Sequence, residues 1–562
     1  MKLFSMRSIA RYSLSIIFLL FFNSSFAQLA EAQAAQEPPK NWFLLDPQTD
    51  QFQGISIEKA YQTLLNGKPS KKVIVAVIDT GVDIEHEDLK GNIWTNTKEV
   101  AGNGIDDDKN GYVDDIHGWN FLGGKEGSLV NDHAEVTREY IRLKPLYEKE
   151  SKSGKKDKEG LAYWEEVKAK YDRDSQANQK KLEEFQEQFN LYVNALYTIT
   201  VCDSLIRQEV SATRITLTEI NAFNATNDTL LMVKRTLQNI YQSLEPETEL
   251  GEFLVELEIH VLALKEYVDD LGAAVKSYDL TYEPRKIVGD NPNNPTEKNY
   301  GNNDVSDPSK HGTHVAGIIA ANRKNSIGAN GVADNVMIMP IRVVPASGDE
   351  RDKDVANGII YAADNGARII NMSFGKYFSP HKDVVEKAIK YAEQKGVLLI
   401  HAAGNDGDDL DTKKHFPVPV YSNGKTAGNW LEVGASSWGE GKEFVADFSN
   451  YGKKTVDVFA PGTAIYATVP GNEYESLQGT SMATPVVSGV AAILFSYFPE
   501  LTAAEVKDII SQSVRKFDGL QVNKPGSVDA IDFTQLSKTG GLVNAYEAIK
   551  MAELRSKKSG KK

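Results

Sequence analysis

The sequence predicts an α/β protein: a parallel sheet flanked by helices, with an inserted all-α segment folding as a helical hairpin or bundle. Short runs rich in β-branched residues recur with helical patterns between them, one long stretch is almost free of glycine and proline, and that stretch carries two apolar seams of helical period. The runs Val73–Ile78, Val336–Met339, Ala367–Ile370 and Gly396–Ile400 are continuously apolar and closed by turn residues. That is the pattern of strands buried on both faces. In such sheets chemistry gathers beyond the carboxyl ends of the strands, so the polar residue after each run marks where to look.

Residues 134–282 hold only four of the 43 glycines and two of the 20 prolines, which marks them as an insertion. Leu250, Leu254, Leu257, Val261, Leu264, Val268, Leu271, Val275 and Tyr278 recur there at helical spacing, as do Leu182, Phe185, Phe189, Tyr192, Leu196 and Ile199. Two long helices that each bury one seam are expected to pack antiparallel on each other.

At the N-terminus Lys2, Arg7 and Arg11 precede an apolar run, Leu14–Phe22, and the small residues Ser25 and Ala27 follow. This reads as a secretory signal at 1–27. The run is too short for a permanent span, so the expected destination is secreted or periplasmic, with no stable membrane span after cleavage. The rest divides into a sheet domain at 28–133 and 283–552, the helical insertion at 134–282 and a basic tail at 553–562. A net charge of −15 without a basic, aromatic-studded stripe excludes nucleic acid as a partner. Cys202 is the only cysteine, which excludes an intrachain disulfide. The uncharged run Met482–Phe498 contains Pro485 and Gly489 and is expected to be a buried core helix.

Ile78-Asp79-Thr80-Gly81 places a carboxylate directly after a strand. His311-Gly312-Thr313-His314 opens a helical stretch, and Gly479-Thr480-Ser481-Met482-Ala483 sets a serine among small residues. A serine hydroxyl becomes a nucleophile when a histidine takes its proton, and a buried carboxylate orients that histidine. The order Asp, His, Ser and the residues around each closely resemble the subtilases, the subtilisin-like serine peptidases. That resemblance implies Asp79 as orienting acid, His311 as general base and Ser481 as nucleophile. It also implies Asn405, in Ala402-Ala403-Gly404-Asn405, as an oxyanion donor beside the Ser481 N–H. His314 is expected to be structural. A zinc-peptidase reading fails, because two histidines three apart without an intervening glutamate do not make that motif.

Asn371-Met372-Ser373-Phe374-Gly375 resembles the family edge that pairs with extended substrate, so Ser373, Phe374, Gly375 and Gly404 are expected to bind it. Side-chain preference would depend on the loop at 415–430, which departs from the family pattern. Asp106, Asp108, Asn110 and Asp114 have the spacing of a calcium loop, although His117 stands where the closing glutamate would be. Asp88 and Asn325 match positions that share calcium in many subtilases, with one extra residue before Asn325. Calcium is therefore the expected structural cofactor, and catalysis needs none. No room for a propeptide domain is expected between Ala27 and Asn41-Trp42. The insertion leaves the chain after Asp79 and returns before His311, so its root is expected near the cleft. The reading is an exported serine endopeptidase acting on protein or peptide substrates. The alternative is an inactive or latent subtilase scaffold serving as an envelope binding protein through its helical insert.

Overall fold

Strand β1, Val73–Asp79, organises the sheet unit: its side chains alternate between two cores, Val73, Val75 and Val77 on one face and Ala76 and Ile78 on the other. Around it lie β2 (Trp119–Asn120), β3 (Val336–Arg342), β4 (Ile369–Met372), β5 (Leu398–Ala402), β6 (Trp430–Ser436), β7 (Val458–Pro461), β8 (Arg515–Lys516) and β9 (Gly541–Leu542). They form one nine-stranded sheet in the order β8-β9-β7-β6-β5-β4-β1-β3-β2. Every pairing is parallel except β8 with β9 at one edge. All four apolar runs of the sequence are strands of this sheet, as a doubly covered parallel architecture requires. This computed structural model describes residues 38–148 and 157–559. The signal read at 1–27 lies outside them, and the tail read at 553–562 is helical as far as Ser559.

The described chain divides into two compact units, one within Asp157–Asp279 and the other built from Pro38–Lys156 and Leu280–Lys562. The insertion boundary thus differs from the 134–282 expected from composition. Helix α1, Glu135–Tyr147, belongs to the sheet unit because its first turn is ionically tied to that core. Glu135 bonds Lys376 Nζ at 2.6 Å, and Arg138 reaches the carbonyls of Asp349 and Glu350, each at 3.0 Å. On the returning side the Tyr282 hydroxyl donates to the Asn131 carbonyl.

The Asp157–Asp279 unit holds α2 (Lys158–Glu209), α3 (Asp228–Ile240) and α4 (Leu250–Lys276). Ring pairs Phe185–Tyr267 and Tyr192–His260 and the ion pair Arg207–Glu249 run in opposite directions along the two long helices. They therefore pack antiparallel. Ile199, Cys202 and Ile206 bury against Leu237, Ile240 and Leu257, so α3 turns the hairpin into a small bundle.

In the sheet unit α5 (Lys310–Ala320) lies on one face, and α6 (Asp352–Asp364) and α7 (Lys382–Gln394) pack on the other. Helix α8, Thr480–Tyr497, crosses β1, β4, β5, β6 and β7. It is long and apolar enough to cross a membrane, but most of it is buried against the sheet. Lys376 is a test of the buried ion network: it contacts Glu135 and Asp352 while only 4% exposed. Burial alone would raise the Glu135 pKa, but Arg138 and Lys376 together hold it at about 2. Lys376→Met leaves Asp352 buried without its cation and Glu135 with Arg138 alone, and is expected to cost about 3–5 kcal/mol. Chemical denaturation of the variant beside wild type measures it.

Candidate active site

Register places the first group. Ile78 of β1 stands opposite Met372 of β4, so one step further along both strands brings Asp79 abreast of Ser373. The Asp79 side chain is 1% exposed, and its Oδ1 lies 2.6 Å from His311 Nδ1 and accepts the Thr80 N–H at 2.8 Å. The bond to Asp79 puts the imidazole proton on Nδ1 and leaves Nε2 as the basic nitrogen. Burial lowers the His311 pKa, but the Asp79 charge and hydrogen bond outweigh it, and the net shift is upward. His311 stands in the first turn of α5 because that helix starts against the β1 turn. A Cβ on Gly312 would come within 2.0 Å of the Gly81 carbonyl oxygen, so only glycine permits the approach.

Ser481 is the second residue of α8. Its hydroxyl donates to the Ser373 carbonyl at 3.1 Å, and the Ser373 hydroxyl donates back to the Ser481 carbonyl at 2.9 Å. Ser481 is thereby fixed beside the strand position that neighbours Asp79. Among the described residues no hydrogen bond joins the Ser481 hydroxyl to His311. Bonds between a nucleophile and its base commonly tighten only with substrate in place.

Asn405 follows β5 by three residues. Its Oδ1 accepts both the Thr480 N–H, at 2.8 Å, and the Thr480 hydroxyl, at 2.9 Å. With the oxygen held by two donors, the amide nitrogen is the end of the side chain that remains able to donate elsewhere. Thr480 is thus a positioning residue that sequence reasoning missed, although it stands inside the serine motif. The Ser481 N–H lies in the first turn of α8, where backbone N–H groups lack intrahelical acceptors and carry the positive end of the helix dipole. His314 Nε2 bonds the Glu475 carbonyl, and burial brings its pKa down to about 4, a neutral structural imidazole.

The residues expected to meet substrate take different places. Ser373 is tied by its side chain to Ser481, and Phe374 is turned inward, its ring edge-on to His401 at 6.3 Å. Gly375 and Gly404 offer bare backbone to one shared space, occupied by the His415 ring.

The acidic loop is rearranged relative to its spacing. Carboxylate oxygens of Asp106, Asp108 and Glu99 lie within 4.8 Å of one another. Glu99 was not anticipated, since it comes from the turn before the loop. The expected ligands Asn110 and Asp114 are engaged elsewhere: Asn110 Nδ2 bonds Asp115, and the Asp114 carboxylate accepts the N–H groups of Gly102, Asn103 and Gly104. At the second expected site Asp88 accepts the backbone N–H groups of Asn322 and Ala329 and the side-chain amide of Asn325, so Asn325 meets it through nitrogen.

A family model described as "Subtilase family" matches residues 70–530. Thermophilic serine proteinase of Bacillus sp. (strain AK1) is 40% identical over 216 residues, 38% of this chain and 49% of the relative. Thermitase of Thermoactinomyces vulgaris is 38% identical over 239 residues, 42% of this chain and 74% of the relative. Cell wall-associated protease of Bacillus subtilis (strain 168) is 35% identical over 267 residues, 46% of this chain and 28% of the relative. The match thus spans about half the length of the first of these relatives and less of the third.

Proposed function

Because the chain belongs to the subtilase family, a family of serine proteases, we propose that it is an exported serine endopeptidase working through an acyl-enzyme. The Asp79–His311 pair at 2.6 Å, with Ser481 held one strand position away, carries this reading. His311 Nε2 takes the Ser481 hydroxyl proton as the oxygen attacks the scissile carbonyl, and Asp79 stabilises the imidazolium. The carbonyl oxygen becomes an oxyanion between the Asn405 amide and the Ser481 N–H. The imidazolium then gives its proton to the leaving amine, and water repeats the sequence on the ester. Export rests on the charged and apolar segment at 1–27, in keeping with the cell-wall association in one relative's name.

The test is labelling of residues 28–562 with a fluorophosphonate, beside Ser481→Ala. Labelling that the substitution abolishes is the expected result; a folded protein that stays unlabelled would instead be the latent or binding-protein scaffold. Asn405→Ala removes one oxyanion donor and is expected to lower kcat by about 10²–10³, the size found when that donor is removed in a subtilisin itself. Steady-state kinetics should show KM nearly unchanged.

We also propose calcium at Glu99, Asp106 and Asp108. Three gathered carboxylates repel one another; the N–H groups of Asp108, Asn110, Gly111 and Asp114 and the Asn96 amide offset part of that charge, and a hard cation with oxygen ligands would relieve the rest. Its role is structural, bracing the 99–115 loop. A chelator is expected to lower the melting temperature by several degrees and calcium to restore it, whereas Glu99→Gln should melt at the lower temperature with or without chelator.

A further inference from the structure

The unassigned element beside the nucleophile is His415. Phe416 forms an isolated antiparallel bridge with Lys376, its N–H donating to the Lys376 carbonyl at 2.7 Å and its carbonyl accepting the Lys376 N–H at 3.0 Å. That register delivers His415 next to Gly375. A Cβ on Gly375 would fall 2.2 Å from His415 Cε1, and one on Gly404 would fall 3.0 Å from the same atom. The imidazole therefore touches the bare backbone of both segments flanking the reacting centre, Ser373–Gly375 and Ala403–Asn405. A substrate lying along Ser373–Gly375, with its carbonyl carbon at Ser481 and its oxygen toward Asn405, directs the side chain of the acyl-side residue between those segments. The depth of that space is set by the ring.

The ring is 8% exposed, with Tyr377 and His401 rings each 5.9 Å away. Behind it His401 bonds Glu432 at 2.9 Å, and Trp430 donates to the same carboxylate at 2.7 Å. His415 Nδ1 is buried with no hydrogen-bond partner among the described residues. Burial and the neighbouring His401 bring its pKa down to about 3, so the ring is neutral.

We propose that His415 is the floor of the side-chain pocket beside Ser481 and restricts cleavage to sites whose acyl-side residue is short, of alanine, serine or asparagine size. This deepens the peptidase reading and rests on it. Leucine and phenylalanine need the volume that the imidazole fills, and a well-packed wall rejects extra methylenes by about 10–200-fold each.

The test uses residues 28–562 and five tetrapeptide p-nitroanilides that differ only in the acyl-side residue: alanine, serine, asparagine, leucine or phenylalanine. The expected kcat/KM for the first three exceeds that for leucine and phenylalanine by about 10-fold or more. His415→Gly should raise the phenylalanine-to-alanine ratio by about 10-fold or more, with His415→Ser as the milder variant should glycine unfold the loop. Wild type favouring leucine or phenylalanine overturns the proposal, as does an unchanged ratio in a folded variant. Protein that labels at Ser481 with a fluorophosphonate but cleaves none of the five also overturns it while sparing the peptidase reading. Protein that does not label overturns both.

Discussion

Ser481→Ala is expected to lower kcat for peptide hydrolysis on the order of 10⁶-fold, the size measured when the nucleophile is removed from a subtilisin itself. The substitution deletes one hydroxyl whose hydrogen bond in the resting site is to the Ser373 carbonyl. The fold should be little disturbed, and thermal melting should shift far less than for Lys376→Met. Residual turnover about 10³-fold above water should survive, because the Asn405 amide and the Ser481 N–H can still stabilise an oxyanion formed by water. His311→Ala should lose a similar factor, and the double variant little more, since the two residues act as one unit. Single-turnover kinetics on the three variants measures this, and additive losses would contradict it.

Asp79→Asn is expected to cost about 10⁴-fold in kcat, for a reason visible in the geometry. Asp79 accepts a hydrogen bond from the His311 Nδ1–H across 2.6 Å. An asparagine amide that turns its nitrogen toward the ring makes Nδ1 the acceptor and moves the proton to Nε2, where it blocks the base. The pH dependence should change as well. Burial lowers the His311 pKa and Asp79 raises it by more, so the folded value lies above the ordinary imidazole range. The base must be neutral, so wild-type kcat/KM should climb as pH rises through that elevated value. With asparagine only the lowering influence of burial remains, and the acid limb should move to lower pH. Overlapping acid limbs in the two pH–rate profiles would refute the assignment of that limb to His311.

The sheet was legible because β1, β3, β4 and β5 are buried on both faces, and burial of that kind writes itself as unbroken β-branched runs. The positions of Asp79, His311 and Asn405 were legible because each belongs to a strand end or helix start that the sequence marks locally. What escaped depended on partners far away in the chain. Glu135 looked like the start of the insertion because nothing near it mentions Lys376, which holds it in the sheet unit. Asp114 fits a ligand spacing, yet its positive φ of 54° belongs to a turn that aims its carboxylate at the N–H groups of residues 102–104. Asp88 was matched by family likeness alone, and its three N–H donors come from residues 322, 325 and 329, far away in the chain. The loop at 415–430 was marked by its departure from the family pattern, but His415 was not singled out within it, because its meaning comes from two glycines at 375 and 404.

The anchoring of Glu135–Tyr147 to the sheet unit also says where evolution, or an engineer, can cut. Excision at 134 and 282 would amputate one of the two counter-ions of Lys376 and so confuse loss of the helical arm with damage to the sheet unit. Excision between 157 and 279 leaves the stem of the arm in place, with Glu135, Arg138 and Tyr282. The stem thus belongs to the host unit, and a cut placed beyond it removes the arm without unpairing Lys376.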